Sequence, residues 1–242
     1  MKSFICALAV VALAAGTTLA AGASIESGNV LGYTPVSLNN QGYTAITVQF
    51  ASLAGNATRT AVDLISTHNL TGSDSAENAP KLTVYNGNQS CVYSLNAAKA
   101  WVKADEAYPD LASISLKSGD AFWFQQGATS VDKLYLVGAL ETSSSGVTIV
   151  AGQNLLGNGL PFDVNLAAVT FSGAVRGRGT GAADIIQLVN TDGSTLSKYF
   201  FNRAGQWVDA SNGNAVGSIP VAAGTAFWYI HKGSGFTVNF AQ

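Results

Sequence analysis

The chain predicts an all-β fold made of two tandem β-sandwich-like or small-barrel repeats of about 106 residues. Three observations carry this. Landmarks recur in order: Tyr93-Ser-Leu-Asn96 and Trp101-Val102 return as Tyr199-Phe-Phe-Asn202 and Trp207-Val208, and Gly119-Asp-Ala121-Phe122-Trp123-Phe124 returns as Gly224-Thr-Ala226-Phe227-Trp228-Tyr229. Short β-type runs broken by Gly, Asn and Asp follow one another at intervals of about ten residues. Helical patterning is scarce.

Taken in order, residues 1–23 read as an export signal. Lys2 gives the positive start, an apolar run follows, and small residues around Ala20 to Ala23 suit signal peptidase. The apolar run is shorter than the roughly 20 residues a spanning helix needs. The first repeat is expected over 24–140 and the second over 141–242, with Gly32 and Gly138 as a further pair of equivalent landmarks. Strands are expected at 30–38 and 43–50 around the turn residues Asn39 to Gly42, and at 81–85 and 90–95 around Asn86-Gly87-Asn88. The second half answers with 185–190, a Thr191-Asp192-Gly193 turn and 196–201, then 217–221, 225–232 and 235–240. Residues 95–106 have helical composition, but their counterpart carries Ala204-Gly205 and reads as a turn plus a short strand. Asn165 to Val169 is expected to form one helical turn.

Only 11% of the residues are Asp, Glu, Lys or Arg, against about 25% in globular proteins generally. Without Lys2 the balance is 11 basic against 14 acidic residues, and no basic cluster offers itself to phosphates. Nucleic acid is therefore not an expected partner. A weakly charged surface gives little protection against self-association, which favours surface layers, fibres or matrix. Removing the signal takes Cys6 with it and leaves Cys91, so no intramolecular disulfide can form and the core alone must hold the fold. Cys91 sits in a strand-like run, where a buried inert thiol is expected.

The Ala-Phe-Trp strands are apolar on both faces, which marks strands covered on both sides. Their aromatic residues are expected to be core. The rival reading is a platform for sugar rings, for which Trp101, Trp207 and Tyr229 are the candidate ligand-binding residues. All four tryptophans fall in duplicated pairs, which favours scaffold over site.

Catalytic patterns are thin. No Gly-x-Ser-x-Gly, His-Glu-x-x-His or Cys-x-x-Cys occurs, and His68 and His231 have no nucleophile motif near them. Acid pairs for glycoside hydrolysis could be drawn from Asp105, Glu106, Asp110, Asp120 and Asp163, as from any chain with 14 acids. Asp105, Glu106 and Asp110 are candidate calcium ligands, as are Asp74, Glu77 and Asn78, but neither set follows an established calcium loop and no cofactor is expected. Arg176-Gly-Arg-Gly-Thr-Gly181 precedes a strand instead of opening a helix, so it reads as a flexible surface loop and not a phosphate cradle.

The run Val30-Leu-Gly-Tyr33, the run Gln153-Asn-Leu-Leu-Gly-Asn158 with Phe162 after it, and the late Gly-x-Ala-Phe-Trp strand resemble a group of uncharacterised exported bacterial proteins. Their β-rich units of about a hundred residues occur singly or in tandem behind a signal peptide. Thr47-Val-Gln-Phe50 departs from the Asn-Leu-Leu-Gly form. The resemblance implies no reaction, cofactor or catalytic residue. The expected function is that of a secreted or cell-surface, non-enzymatic structural, adhesive or assembly protein, partnered by itself or by an extracellular polymer. Carbohydrate binding is the alternative, and an outer-membrane β-barrel a second one.

Overall fold

The structure, a computed structural model, describes residues 31–38, 42–51, 59–60, 62, 65, 67, 69–86, 89–140, 146–160, 162–190 and 194–240. The expected export signal and His68 lie outside them. The described chain is all-β and its sheets are antiparallel. Its first ten strands are β1 (Leu31–Ser37), β2 (Tyr43–Thr47), β3 (Phe50–Ala51), β4 (Arg59–Thr60), β5 (Lys81–Asn86), β6 (Gln89–Leu95), β7 (Trp101–Lys103), β8 (Ser115–Leu116), β9 (Ala121–Gln125) and β10 (Lys133–Leu140). Then follow β11 (Val147–Ile149), β12 (Gly152–Gly157), β13 (Val164–Asn165), β14 (Ile185–Val189), β15 (Thr195–Phe201), β16 (Trp207–Asp209), β17 (Pro220–Val221), β18 (Ala226–His231) and β19 (Phe236–Val238). One 3-10 turn, Leu111–Ser113, precedes β8.

Every sheet draws its strands from residues 31–140 or from 147–238, never from both. The N-terminal sheet runs β2-β9-β5-β6-β7 and the C-terminal sheet β12-β18-β14-β15-β16, an identical succession of chain positions. The minor pairs answer each other too: β4 with β8 and β13 with β17, β1 with β10 and β11 with β19. All these sheets are open and sandwich-like; none closes into a barrel, so neither the small-barrel form nor the closed sheet of an outer-membrane barrel is present among the described residues.

Two expectations about the early strands are corrected. β1 and β2 do not form a hairpin: β1 pairs with β10 and β2 with β9. Gly32 and Gly138 are therefore cross-strand partners in one sheet, not equivalent positions. The Asn-Leu-Leu-Gly run lies opposite the Trp228 strand as Thr44-Ala-Ile-Thr47 lies opposite the Trp123 strand, with Leu155 across from Trp228 and Ala45 across from Trp123. The β5–β6 and β14–β15 hairpins form where turn residues break apolar runs. Residues 95–106 are strand, turn and the short β7, not helix, and Asn165 to Val169 form successive tight turns.

Strand alternation builds three apolar layers. Phe122 and Phe124 on one face of β9 join Leu82, Tyr93 and Leu95 in the N-terminal core. Phe227 and Tyr229 on β18 do the same with Ile186 and Trp207 in the C-terminal core. The opposite faces of these strands meet each other: Ala121, Trp123, Leu155, Val189 and Ala226 form a buried seam with Ala45, Tyr85 and Trp228 packed against it. Trp123 and Trp228 lie 6.5 Å apart between ring centres, and Tyr85 meets Trp228 edge-on at 5.1 Å. Backbone ties accompany the contact, with the Gly157 N–H donating to the Gly119 carbonyl at 2.8 Å and the Ser118 hydroxyl to the Gly159 carbonyl at 2.7 Å. Gly157 is required here because a Cβ would collide with the Thr47 side chain.

Candidate functional site

The two five-stranded sheets share one strand succession, so positions that differ between them are where a site is sought. The clearest is a buried polar cluster in the C-terminal unit. Asp184 directly precedes β14 and is 0% exposed, where Pro80 precedes β5. Tyr229 and His231 on β18, 0% and 2% exposed, stand at the places held by Phe124 and Gln126. Asp184 Oδ2 accepts from the Tyr229 hydroxyl at 2.7 Å, from His231 Nδ1 at 2.8 Å and from the Val175 N–H at 3.1 Å, while Oδ1 accepts from the Lys232 N–H at 2.8 Å. Both carboxylate oxygens that burial removes from water are thereby given donors. Burial first, then the Asp184 carboxylate, push the Tyr229 phenol far above its ordinary range.

A carboxylate holding an imidazole is half of a hydrolytic triad, but here the second ring nitrogen of His231 is turned to the Ser234 carbonyl. Neither side chain has exposed surface. With both ring nitrogens facing acceptors, the imidazole offers no free lone pair to a substrate. What the cluster does is positional. Asp184 pins Val175, whose carbonyl accepts the Asp184 N–H at 2.9 Å, and so fixes the chain one residue before Arg176. The loop expected to be flexible is therefore tied down, further by the Gly177 N–H to the Phe201 carbonyl and by the Ala182 and Ala183 N–H groups to the Gly179 carbonyl.

Arg176 is exposed and lies over Phe201, its guanidinium carbon 5.6 Å from the ring centre. Its other flank rests on Gly205, where a Cβ would come within 3.1 Å of the guanidinium; φ of +77° there also favours glycine. This held cation stands at the rim of a cleft of ≈ 590 Å³ lined by Thr170, Phe171, Phe201, Gln206 and Trp207 among others. That volume is of small-ligand size.

Trp207, expected to be core and a ligand-binding candidate only under the rival reading, lines this cleft and is 4% exposed. Trp101, at the equivalent place, packs on the N-terminal core with its indole N–H buried and unpartnered in the structure. Tyr229 is core, stacked on Phe171 at 5.0 Å, and cannot form a platform. Of the calcium candidates, Glu106 and Asp110 face Lys103 Nζ at 3.3 and 3.7 Å, and Asp105 caps its own turn through the Ala107 N–H. Asp74 similarly accepts from the Ala97 N–H. Among the described residues no three His, Cys, Asp or Glu gather as a metal site would require. Cys91 is buried and burial pushes its thiol up, which leaves it unreactive. Asp163 accepts the Ala223 N–H.

Asp120 lies beside the seam, bridged to Leu156, and burial raises its carboxyl despite a 2.7 Å bond from the Lys117 N–H. A raised carboxyl contributes stability that is complete below the unfolded carboxylate range and lost as pH rises through the folded value. Asp120→Asn keeps the acceptor for Lys117, so it should match the parent in acid and exceed it in stability at neutral pH. Denaturant titrations at several pH values check this; a variant less stable at neutral pH than the parent would show that the charge is favourable there.

Asp184 was missed by the sequence reading because its partners lie up to 48 residues away and no spacing rule links them. The only local signal was an acid directly ahead of the doubly apolar Ile185-Ile186. Comparison with protein-family models, with curated proteins and with solved structures finds no match to this chain.

Proposed function

We propose that this chain is a secreted, non-enzymatic scaffold acting in extracellular assembly or adhesion, two β units joined face to face and presenting loops at their rims. The observation that supports it most is the seam: the aromatic surface best suited to a ligand, Trp123 with Trp228, is spent on joining the units. The low charge content supports it further, as does a buried acid–imidazole pair in which both ring nitrogens face acceptors. Light scattering of the secreted chain over a wide concentration range should show self-association, and a panel of esters, peptides and glycosides should show no turnover. A strictly monomeric chain that hydrolyses a polysaccharide, losing activity when one of Asp105, Glu106, Asp110, Asp120 or Asp163 is removed, would overturn the reading. Carbohydrate binding is the second reading, and it draws on the aromatic-lined cleft with Trp207 at its base.

A further inference from the structure

Two loops that the fold builds alike carry opposite charge. In the N-terminal unit the Ser73 N–H donates to the Leu95 carbonyl, and the Asn78 and Ala79 N–H groups donate to the Ser75 carbonyl. In the C-terminal unit the Gly177 N–H donates to the Phe201 carbonyl, and the Ala182 and Ala183 N–H groups donate to the Gly179 carbonyl. Each loop rests on an Asn-anchored turn made by the same bonds: the Ala100 N–H to Asn96 Oδ1 at 2.9 Å in one, the Gln206 N–H to Asn202 Oδ1 at 2.9 Å in the other. The turns share a left-handed residue, Lys99 at φ 61° and Gly205 at φ 77°. Counted along these bonds, Asp74 stands where Arg178 does, Glu77 where Gly181 does, and Gly72 where Arg176 does.

The acids Asp74 and Glu77 are exposed, as are the arginines Arg176 and Arg178, with Arg203 also exposed on the turn beneath them. Lys99 on the other turn offsets one of the two acids, so the patches still oppose each other in sign. In a chain with so few charges, such a contrast at equivalent places is a large part of its surface field. Among the described residues no ion pair joins Asp74 or Glu77 to Arg176 or Arg178 within one molecule. Opposite charge on two different patches of one surface is what a head-to-tail contact can use.

Resting on the assembly reading above, we infer that the acidic loop of one copy docks on the arginine loop of the next, beside the aromatic cleft. The two patches are different surfaces of the chain, so the contact is heterologous and generates open strings instead of a closed dimer. The contact is electrostatic at its rim, so it should weaken as salt shortens the screening length.

The test is a charge swap in the whole secreted chain. Asp74→Lys with Glu77→Lys, and separately Arg176→Glu with Arg178→Glu, should each reduce self-association by about tenfold or more in sedimentation velocity, since attraction becomes repulsion at the same sites. Mixing the two variants should restore it, because each then supplies the charge the other lacks. Asp74→Lys also removes the acceptor of the Ala97 N–H and Arg176→Glu the packing on Phe201, so Glu77→Lys and Arg178→Glu alone, which should leave thermal unfolding near the parent value, must weaken association in the same direction. If both variants associate as the parent does, this inference fails while the assembly reading stands; if the parent is monomeric throughout and binds no insoluble surface, the assembly reading fails with it. Binding of a polyuronate at the arginine loop, with association untouched by the acidic-loop reversal, would put an acidic glycan there in place of a second copy and overturn the proposal.

Discussion

Trp123→Ala should lower unfolding free energy by about 3–5 kcal/mol, through lost burial and the cavity left behind. The indole is 8% exposed and touches both units, meeting Tyr43 edge-on at 6.4 Å and Trp228 at 6.5 Å. Trp228→Ala should fall at the lower end of that range, because Trp228 keeps more exposed surface. The double variant should cost less than the sum of the two, since the second truncation removes a contact already broken, with aromatic coupling of about 0.5–1.5 kcal/mol. Denaturant unfolding monitored by fluorescence and by circular dichroism measures all three. Unchanged unfolding together with lost glycan binding would move the tryptophans from seam to site.

Asp184→Ala carries a comparable cost for a different reason. Removing the carboxylate leaves a phenol, an imidazole and two backbone N–H groups inside the C-terminal unit without acceptors, and breaking such a buried pair costs about 3–5 kcal/mol. Asp184→Asn keeps one acceptor oxygen and should cost less. A loss below about 1 kcal/mol for Asp184→Ala would mean water replaces the carboxylate. Because the same carboxylate pins Val175, the Asn variant should also loosen the Arg176 loop, read as faster amide exchange at Gly177.

The all-β class, the hairpins at β5–β6 and β14–β15 and the doubly covered Ala-Phe-Trp strands were legible in the sequence. Each of these follows from neighbours in the chain: a period of two in side-chain direction and turn residues at the breaks. The β1–β2 hairpin was misread because the partners of an antiparallel strand need not be adjacent in sequence, and β1 finds its partner about a hundred residues on at β10. The candidate site was legible only in part. Trp207 and the arginine loop were visible as motifs, but the Asp184 cluster that holds the loop joins residues from three separate segments.

What the sequence by itself determined is the all-β class, the strands of the β5–β6 and β14–β15 hairpins and the fact that β9 and β18 must be buried on both faces, since alternation puts aromatic side chains on each. What only the tertiary structure decided is what covers the second face. An apolar strand surface is equally satisfied by a ligand, a second molecule or another part of the chain, because burial is non-directional and scales with area alone. Here the covering surface is the corresponding face of the other unit, Trp123 against Trp228. The same holds for charge: the residues Asp74, Glu77, Arg176 and Arg178 are plain in the sequence, but their equivalence rests on backbone hydrogen bonds that form only once both sheets are folded.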